Sequence, residues 1–114
     1  MSTLELNSKE INDILLTYVI DYIIRRKYVF QVIKLVKNSI TDEGMRLLLG
    51  YLSGDKTTEV LNMTNNQLTP KTLDMVIAFA NRNNILKTLY LSNNTKISGF
   101  QLKSRRGELD KYQF

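Results

Sequence analysis

Apolar side chains recur in the same order three times along this chain. Phe30, Ile33, Leu35 and Ile40 surround Asn38. Thr58, Leu61, Met63 and Leu68 stand in the same relation to Asn66, and Leu86, Leu89, Leu91 and Ile97 in the same relation to Asn94. The period is 28 residues and holds at every position but the last, where the third copy is one residue longer. Before each Asn the apolar positions alternate, which predicts a short half-buried strand. In the first copy this strand covers 30–36, with Phe30, Ile33 and Leu35 inward and Val32, Lys34 and Val36 outward. After each Asn the spacing becomes helical. Thr41, Thr69 and Ser98 are suited to be N-caps, and Pro70 fits a first helical position, where a missing N–H costs nothing. Met45, Leu48, Leu49 and Leu52 then mark the buried stripe of one helix, and Leu73, Val76, Ile77 and Ala80 that of the next. The third helix departs from this: Leu102 and Leu109 keep the stripe, but Arg105 and Arg106 take the places of Val76 and Ile77.

Residues 1–28 precede the repeats. Asn7 followed three residues later by Glu10 predicts a capping box. Ile11, Ile14, Leu15, Tyr18, Val19, Tyr22 and Ile23 then form a helical stripe, and Arg25, Arg26 and Lys27 close it at the negative end of the helix dipole. Moving Leu48 and Leu52 back by one period lands on Ile20 and Ile24. The segment is therefore expected to be a single helix that caps the repeats. The rest divides at about 30–57, 58–85 and 86–114, the last copy degenerate or capping, and the whole forms one domain.

The asparagines have a physical task. Where a strand ends inside a stack of units, backbone N–H and C=O groups lose their sheet partners. A side-chain amide, with two donors and an acceptor, can satisfy several of them. Asn38, Asn66 and Asn94 are accordingly expected to form a structural ladder. The spacing L-x-x-L-x-L-x-x-N-x-L at this period resembles the leucine-rich repeat family. The helix start Ile40-Thr41-Asp42-Glu43-Gly44, followed by Leu48 and Leu52, is similar to that of the ribonuclease-inhibitor-like subclass. Thr58 in place of the first Leu, and Thr72 in place of the Gly matching Gly44, depart from the pattern. The resemblance covers about residues 29–100. It implies an α/β fold: a right-handed solenoid with a parallel sheet on the concave face and helices on the convex face. It also implies no enzymatic activity, and binding of other proteins through the strand side.

Composition narrows the chemistry. The chain has no cysteine and no histidine, so thiolate nucleophiles, disulfides and the commonest general base and metal ligand are excluded. Asp42-Glu43 is the only adjacent carboxylate pair, and its place in the first turn of a helix is explained by the dipole. The five glycines (44, 50, 54, 99, 107) form no phosphate-cradling loop. No enzyme, cofactor or metal is expected. Met1–Glu5 lacks the basic region of a signal peptide. The apolar stretch 14–24 is broken by Asp21 and is shorter than the ~20 residues that span a bilayer. The expectation is an intracellular, cytoplasmic chain without membrane insertion or a small-molecule substrate.

What remains is a surface. In the repeat register the outward strand positions stack into three columns: Val32, Val60, Thr88; Lys34, Asn62, Tyr90; and Val36, Thr64, Ser92. Lys37, with Asn65 and Asn93, forms a rim beside the turn. A tyrosine beside an amide and a lysine is an interface-like mixture, although β-branched residues also suit strands for their own sake. These positions are the candidate protein-binding face. Three strands give an area near the low end of the ~1,200–2,000 Å² of stable interfaces, which points to a scaffold or adaptor subunit of a larger assembly. The competing reading is nucleic-acid contact. The net charge is +5, rising toward the C-terminal end. Arg25-Arg26-Lys27, Lys34, Lys37 and Lys103-Ser104-Arg105-Arg106 could follow phosphates, with Tyr28, Tyr90 and Tyr112 stacking on bases. No nucleic-acid-binding motif accompanies them.

Overall fold

The computed structural model of this protein describes residues 2–99 together with Gln101 and Gly107. The described part is α/β, with strands β1 (Thr3–Glu5), β2 (Val32–Lys34), β3 (Val60–Asn62) and β4 (Thr88–Tyr90) alternating with helices α1 (Asp13–Arg26), α2 (Asp42–Gly54) and α3 (Pro70–Ala80). The strands make one parallel sheet in sequence order, β1-β2-β3-β4. Neighbouring helices pack on one another. Leu102, Lys103, Ser104, Arg105, Arg106, Leu109 and Tyr112, named above, lie outside the described residues.

The first 28 residues correct the expectation of a capping helix alone. They form a strand, a turn and a helix, and β1 pairs with β2 in the register Thr3↔Val32, Leu4↔Ile33, Glu5↔Lys34. This spacing is 29, one more than between later units. Leu4, Leu6 and Ile11 therefore match Leu35's neighbour Ile33, Leu35 itself and Ile40. The helical equivalents of Leu48 and Leu52 are Val19 and Ile23, not Ile20 and Ile24; Ile23 is buried and Ile24 exposed. Asn7 is not the N-cap. Residues 6–11 are spent on the turn, with Ser8 and Glu10 at φ of 55° and 57°. Asn7 Oδ1 instead accepts from the Val36 N–H at 2.9 Å. The cap is Asn12, which accepts from the Leu15 N–H at 2.9 Å.

The regular strands are shorter than the 30–36 expected, but pairing continues on both sides. The Leu35 N–H donates to the Asn62 carbonyl and the Lys37 N–H to the Thr64 carbonyl. At the start of each strand one carbonyl, of Ser2, Gln31 or Glu59, accepts two consecutive N–H groups of the next unit. The inward residues Ile33, Leu61 and Leu89, then Leu35, Met63 and Leu91, pack against Leu16, Met45 and Leu73 in one continuous core. Ile11, Ile40, Leu68 and Ile97 close the turns from inside and are all buried. Phe79, which the apolar stripe of α3 left out, is also buried in this core.

Two side-chain ladders tie the units together. In the first, each asparagine serves the turn of the unit before its own. Asn38 Oδ1 accepts from the Lys9 and Ile11 N–H groups at 3.1 and 2.9 Å, and its Nδ2 donates to the Leu6 carbonyl at 3.0 Å. Asn66 accepts from the Ile40 N–H at 3.1 Å and donates to the Leu35 carbonyl at 2.9 Å. Asn94 accepts from the Asn66 and Leu68 N–H groups at 3.1 and 3.0 Å and donates to the Met63 carbonyl at 3.1 Å. The second ladder joins helix starts. Asp13 accepts from the N–H of Thr41, the N-cap of α2, at 2.9 Å and from its hydroxyl at 2.5 Å. Asp42 repeats this toward Thr69, the N-cap of α3, accepting from its N–H at 2.9 Å and from its hydroxyl.

The departures from the repeat have local causes. Thr58 is buried and its hydroxyl donates to the Phe30 carbonyl at 2.8 Å, replacing apolar packing by a bond between units. A Cβ on Gly44 would stand 2.4 Å from Asp13 Oδ1, whereas the equivalent Thr72 turns its hydroxyl onto Asp42 Oδ1 at 2.5 Å. Ser98 and Gln101 form a reciprocal capping box, at 2.8 and 3.0 Å.

Asn66 is buried and its amide holds backbone groups of two units. Replacing it with alanine leaves those groups unpaired, so Asn66→Ala is expected to lose roughly 1–3 kcal/mol of stability. Thermal unfolding checks this, and an unchanged melting temperature would remove the ladder from the account of stability.

Candidate functional site

The register of β2, β3 and β4 aligns Val32 with Val60 and Thr88, and Lys34 with Asn62 and Tyr90. Beyond the regular strands, the Lys37 N–H donates to the Thr64 carbonyl and the Asn65 N–H to that of Ser92, which keeps Val36, Thr64 and Ser92 in line. The columns drawn from the repeat are thus brought together on the sheet face opposite the core. Each gains a member that the sequence reading missed, because β1 extends them by Thr3, Glu5 and Asn7. The signal was Leu4-x-Leu6-x-x-Lys9-x-Ile11, which matches the repeat once a lysine is allowed at the ladder position.

The face is not uniform. Val32, flanked by strands on both sides, is 7% exposed and offers little area. Val60, Asn62, Thr64, Thr88 and Tyr90 are half-buried, as are Lys34 and Val36, while Ser92 and Lys37 are exposed. Asn62 Oδ1 accepts from the Thr64 hydroxyl at 2.7 Å and its N–H at 3.1 Å, which locks the two side chains together and leaves the amide's N–H donors for a partner. Lys34 lies across from Glu5 on the neighbouring strand, and opposite charges at such positions attract. The face therefore runs from a charged end at β1 and β2 to an amide and a phenol at β3 and β4.

The rim residues have a conformational role. Ser8, Lys37, Asn65 and Asn93 occupy equivalent positions with φ of 55°, 58°, 60° and 56°. This left-handed region is tolerated by asparagine and disfavoured for other residues with a Cβ. Backbone geometry alone accounts for Asn65 and Asn93, and Lys37 carries the cost of a residue without that tolerance.

The remaining candidate chemistry is absorbed by structure. Burial raises the pKa of Asp42, but the Thr69 hydroxyl and N–H, the Thr72 hydroxyl and the charge of Lys71 outweigh it, so the group titrates below its ordinary value. It is held as an acceptor, not poised as a proton donor. Glu43 is exposed beside Arg46, at 3.5 Å. Burial and the charge of Asp55 raise the phenol of Tyr51, which makes it a poorer nucleophile near neutrality. Among the described residues no group of three or more His, Cys, Asp or Glu side chains converges on a metal position, and no helix is long and apolar enough to cross a membrane. No protein-family model matches the chain, and none of the curated proteins matches it in sequence.

Two outcomes follow. A carboxyl whose pKa is lowered on folding stabilises fully above its unfolded value and loses that contribution as pH falls through the folded one. The melting temperature of Asp42→Asn is thus expected to lie furthest below that of the native chain at neutral pH, with the gap closing as pH falls through the lowered pKa of the folded carboxyl. A gap independent of pH would mean that the carboxylate charge is not what Thr69 and Thr72 hold. At the strained turn, Lys37→Asn is expected to raise stability by up to about 1 kcal/mol, read by denaturant unfolding.

Proposed function

We propose that the chain is a leucine-rich-repeat solenoid of the ribonuclease-inhibitor-like kind and acts as a non-catalytic protein-interaction module. In this reading it is a small scaffold or adaptor subunit, and its sheet face is the concave binding surface. The observation that carries the reading is the alignment of Lys34, Asn62 and Tyr90 on adjacent strands, half-buried and directed away from the core. Tyr90 supplies a large contact area at a low entropic cost, and Asn62, already fixed by Thr64, supplies oriented donors. Inward positions across the sheet hold only leucine, isoleucine and methionine. The outward column holds glutamate, lysine, asparagine and tyrosine, a diversity that folding does not require.

The alternative, a basic protein contacting nucleic acid, has less support. Arg25 is paired with Asp21 at 2.9 Å, Arg26 lies over the Tyr22 ring at 5.2 Å, and Lys34 faces Glu5 across the sheet. Arg25 and Arg26 thus have local partners, and the helix that carries them is not on the candidate face.

The test compares the native chain with Tyr90→Ala as baits in the native cell extract, with and without nuclease. Partners that survive nuclease and moderate salt are expected to be lost or weakened at least about tenfold with Tyr90→Ala, a change of ~1.4 kcal/mol, while the melting temperature stays nearly the same. Partners retained unchanged would move the interface off the strand face. Loss of every partner on nuclease treatment would favour the alternative.

A further inference from the structure

The outer side of α1 is apolar and lacks the cover that α2 and α3 find. At the two internal helix contacts the same positions face the preceding unit. Gly44 and Thr72 lie against Asp13 and Asp42. Tyr51 lines a groove with Ile23, Ile24 and Lys27 of α1, and Met75 and Phe79 line one with Leu49, Gly50 and Ser53 of α2. With spacings of 29 and then 28, the α1 equivalents of these positions are Leu15, Tyr18 and Tyr22. They are 45%, 67% and 52% exposed, and Ile14 beside them is 68% exposed. Among the described residues β1, next to them, is paired only with β2. A terminal unit that seals a stack has a polar outer face. This unit instead presents Ile14, Leu15, Tyr18 and Tyr22 side by side, a contiguous apolar surface of the kind that serves interaction.

A unit bonded as at the internal contacts finds no match on this face. Leu15 stands where Gly44 meets Asp13 and where Thr72 donates to Asp42, and it offers neither that clearance nor that hydroxyl. Lys9 stands where the bridging amides of Asn38, Asn66 and Asn94 reach back to the unit before. The charges on α1 favour a different occupant. Glu10 lies just before its start and Arg26 at its end, outside the bonds that hold Asp13 to Thr41 and Arg25 to Asp21, so the helix is complementary to its own reverse. Residues 1–28 hold four positive and four negative charges, whereas the excess of +5 is carried by the rest of the chain. Like copies therefore meet without net repulsion at this face.

We propose that two copies of this chain pair through α1, antiparallel about a two-fold axis near Tyr18. Ile14 of each copy then packs on Tyr22 of the other, Glu10 approaches the other copy's Arg26, and the helix dipoles oppose. The interface is isologous. It is separate from the strand face, so Tyr90→Ala leaves it unchanged whether or not that face binds a partner.

Sedimentation equilibrium of the full chain tests this. A monomer–dimer equilibrium is expected below about 100 μM, with Tyr18→Glu weakening it at least tenfold and leaving the melting temperature of the monomer unchanged, because the side chain is exposed. Glu10→Arg should weaken the dimer and the added Arg26→Glu should restore it. The chain contains no cysteine, so single-cysteine variants report proximity directly. Oxidised Tyr18→Cys should form a covalent dimer quickly, and Arg82→Cys, just past the end of α3 and not on α1, should not. A monomer at every concentration, a dimer that survives Tyr18→Glu, or equal cross-linking of both cysteine variants would overturn the proposal.

Discussion

A strand that ends inside a stack of parallel units leaves its turn with backbone donors and acceptors that neither sheet nor helix can satisfy. Everything else in this fold depends on how those groups are paired. The pairing is directional: Asn38 completes the turn of residues 6–11, Asn66 that of 35–40, and Asn94 that of 63–68. Each amide also donates within its own turn, but the turns of residues 6–11, 35–40 and 63–68 are complete only with the asparagine of the next unit. Each is finished by its successor, so the stack is held by side chains that belong to one unit and bond in another. Buried amides are costly unless saturated; here each oxygen and nitrogen is engaged, and the cost of burial becomes a register lock.

This direction bears on two irregularities at the ends. Position 9 is a lysine, which carries no acceptor and so cannot hold a turn as the asparagines do. At the other end, the turn after Asn94 has no following asparagine among the described residues. The Ile97 N–H instead donates to the Asn94 carbonyl at 2.8 Å, so the turn closes on itself. The residue inserted between Asn94 and Ile97 belongs to that closure. The aspartate ladder ends in the same way. Its third position is Pro70, which carries no acceptor, and Ser98 is capped within its own helix by Gln101.

The period, the inward residues, the asparagines and the caps at Thr41, Thr69 and Ser98 were legible because packing and backbone pairing demand particular residues at fixed spacings. The first unit was not, since a spacing of 29 and Lys9 remove the two signals by which its neighbours are recognised. Asn7 and Glu10 mimicked a capping box that the turn conformation of residues 6–11 prevents. Asn65 and Asn93 drew attention as possible contact residues when their positive φ already accounts for them. Phe79 was overlooked because it faces α2 and not the sheet, a direction that the stripe of α3 alone does not reveal. The outward columns were placed correctly by register. Register says which side chains stand together, and nothing about what they hold.

The distribution of constraint separates the surfaces on which binding can act. The inward column is fixed by close packing and the turn by backbone pairing, and both are repetitive. On the sheet face the same geometric position passes from Glu5 to Lys34, Asn62 and Tyr90, with no bond between units to account for any of them. On α1, Leu15 and Tyr22 occupy positions that are covered in the other helices and stand exposed here, and Tyr18 is far more exposed than its α2 equivalent Leu47. Exposed aromatic area of this kind is unfavourable to a lone chain, and removing it from water yields about 25 cal/mol per Å² before the costs of association. The face is varied in chemistry but only half-exposed, which suits selective contact of modest strength. The helix is uniform in chemistry and widely exposed, which suits a standing contact. Under the two proposals the surfaces would suit different kinds of association, and an assembly that used both would be joined through α1 while the sheet face remained open to its partner.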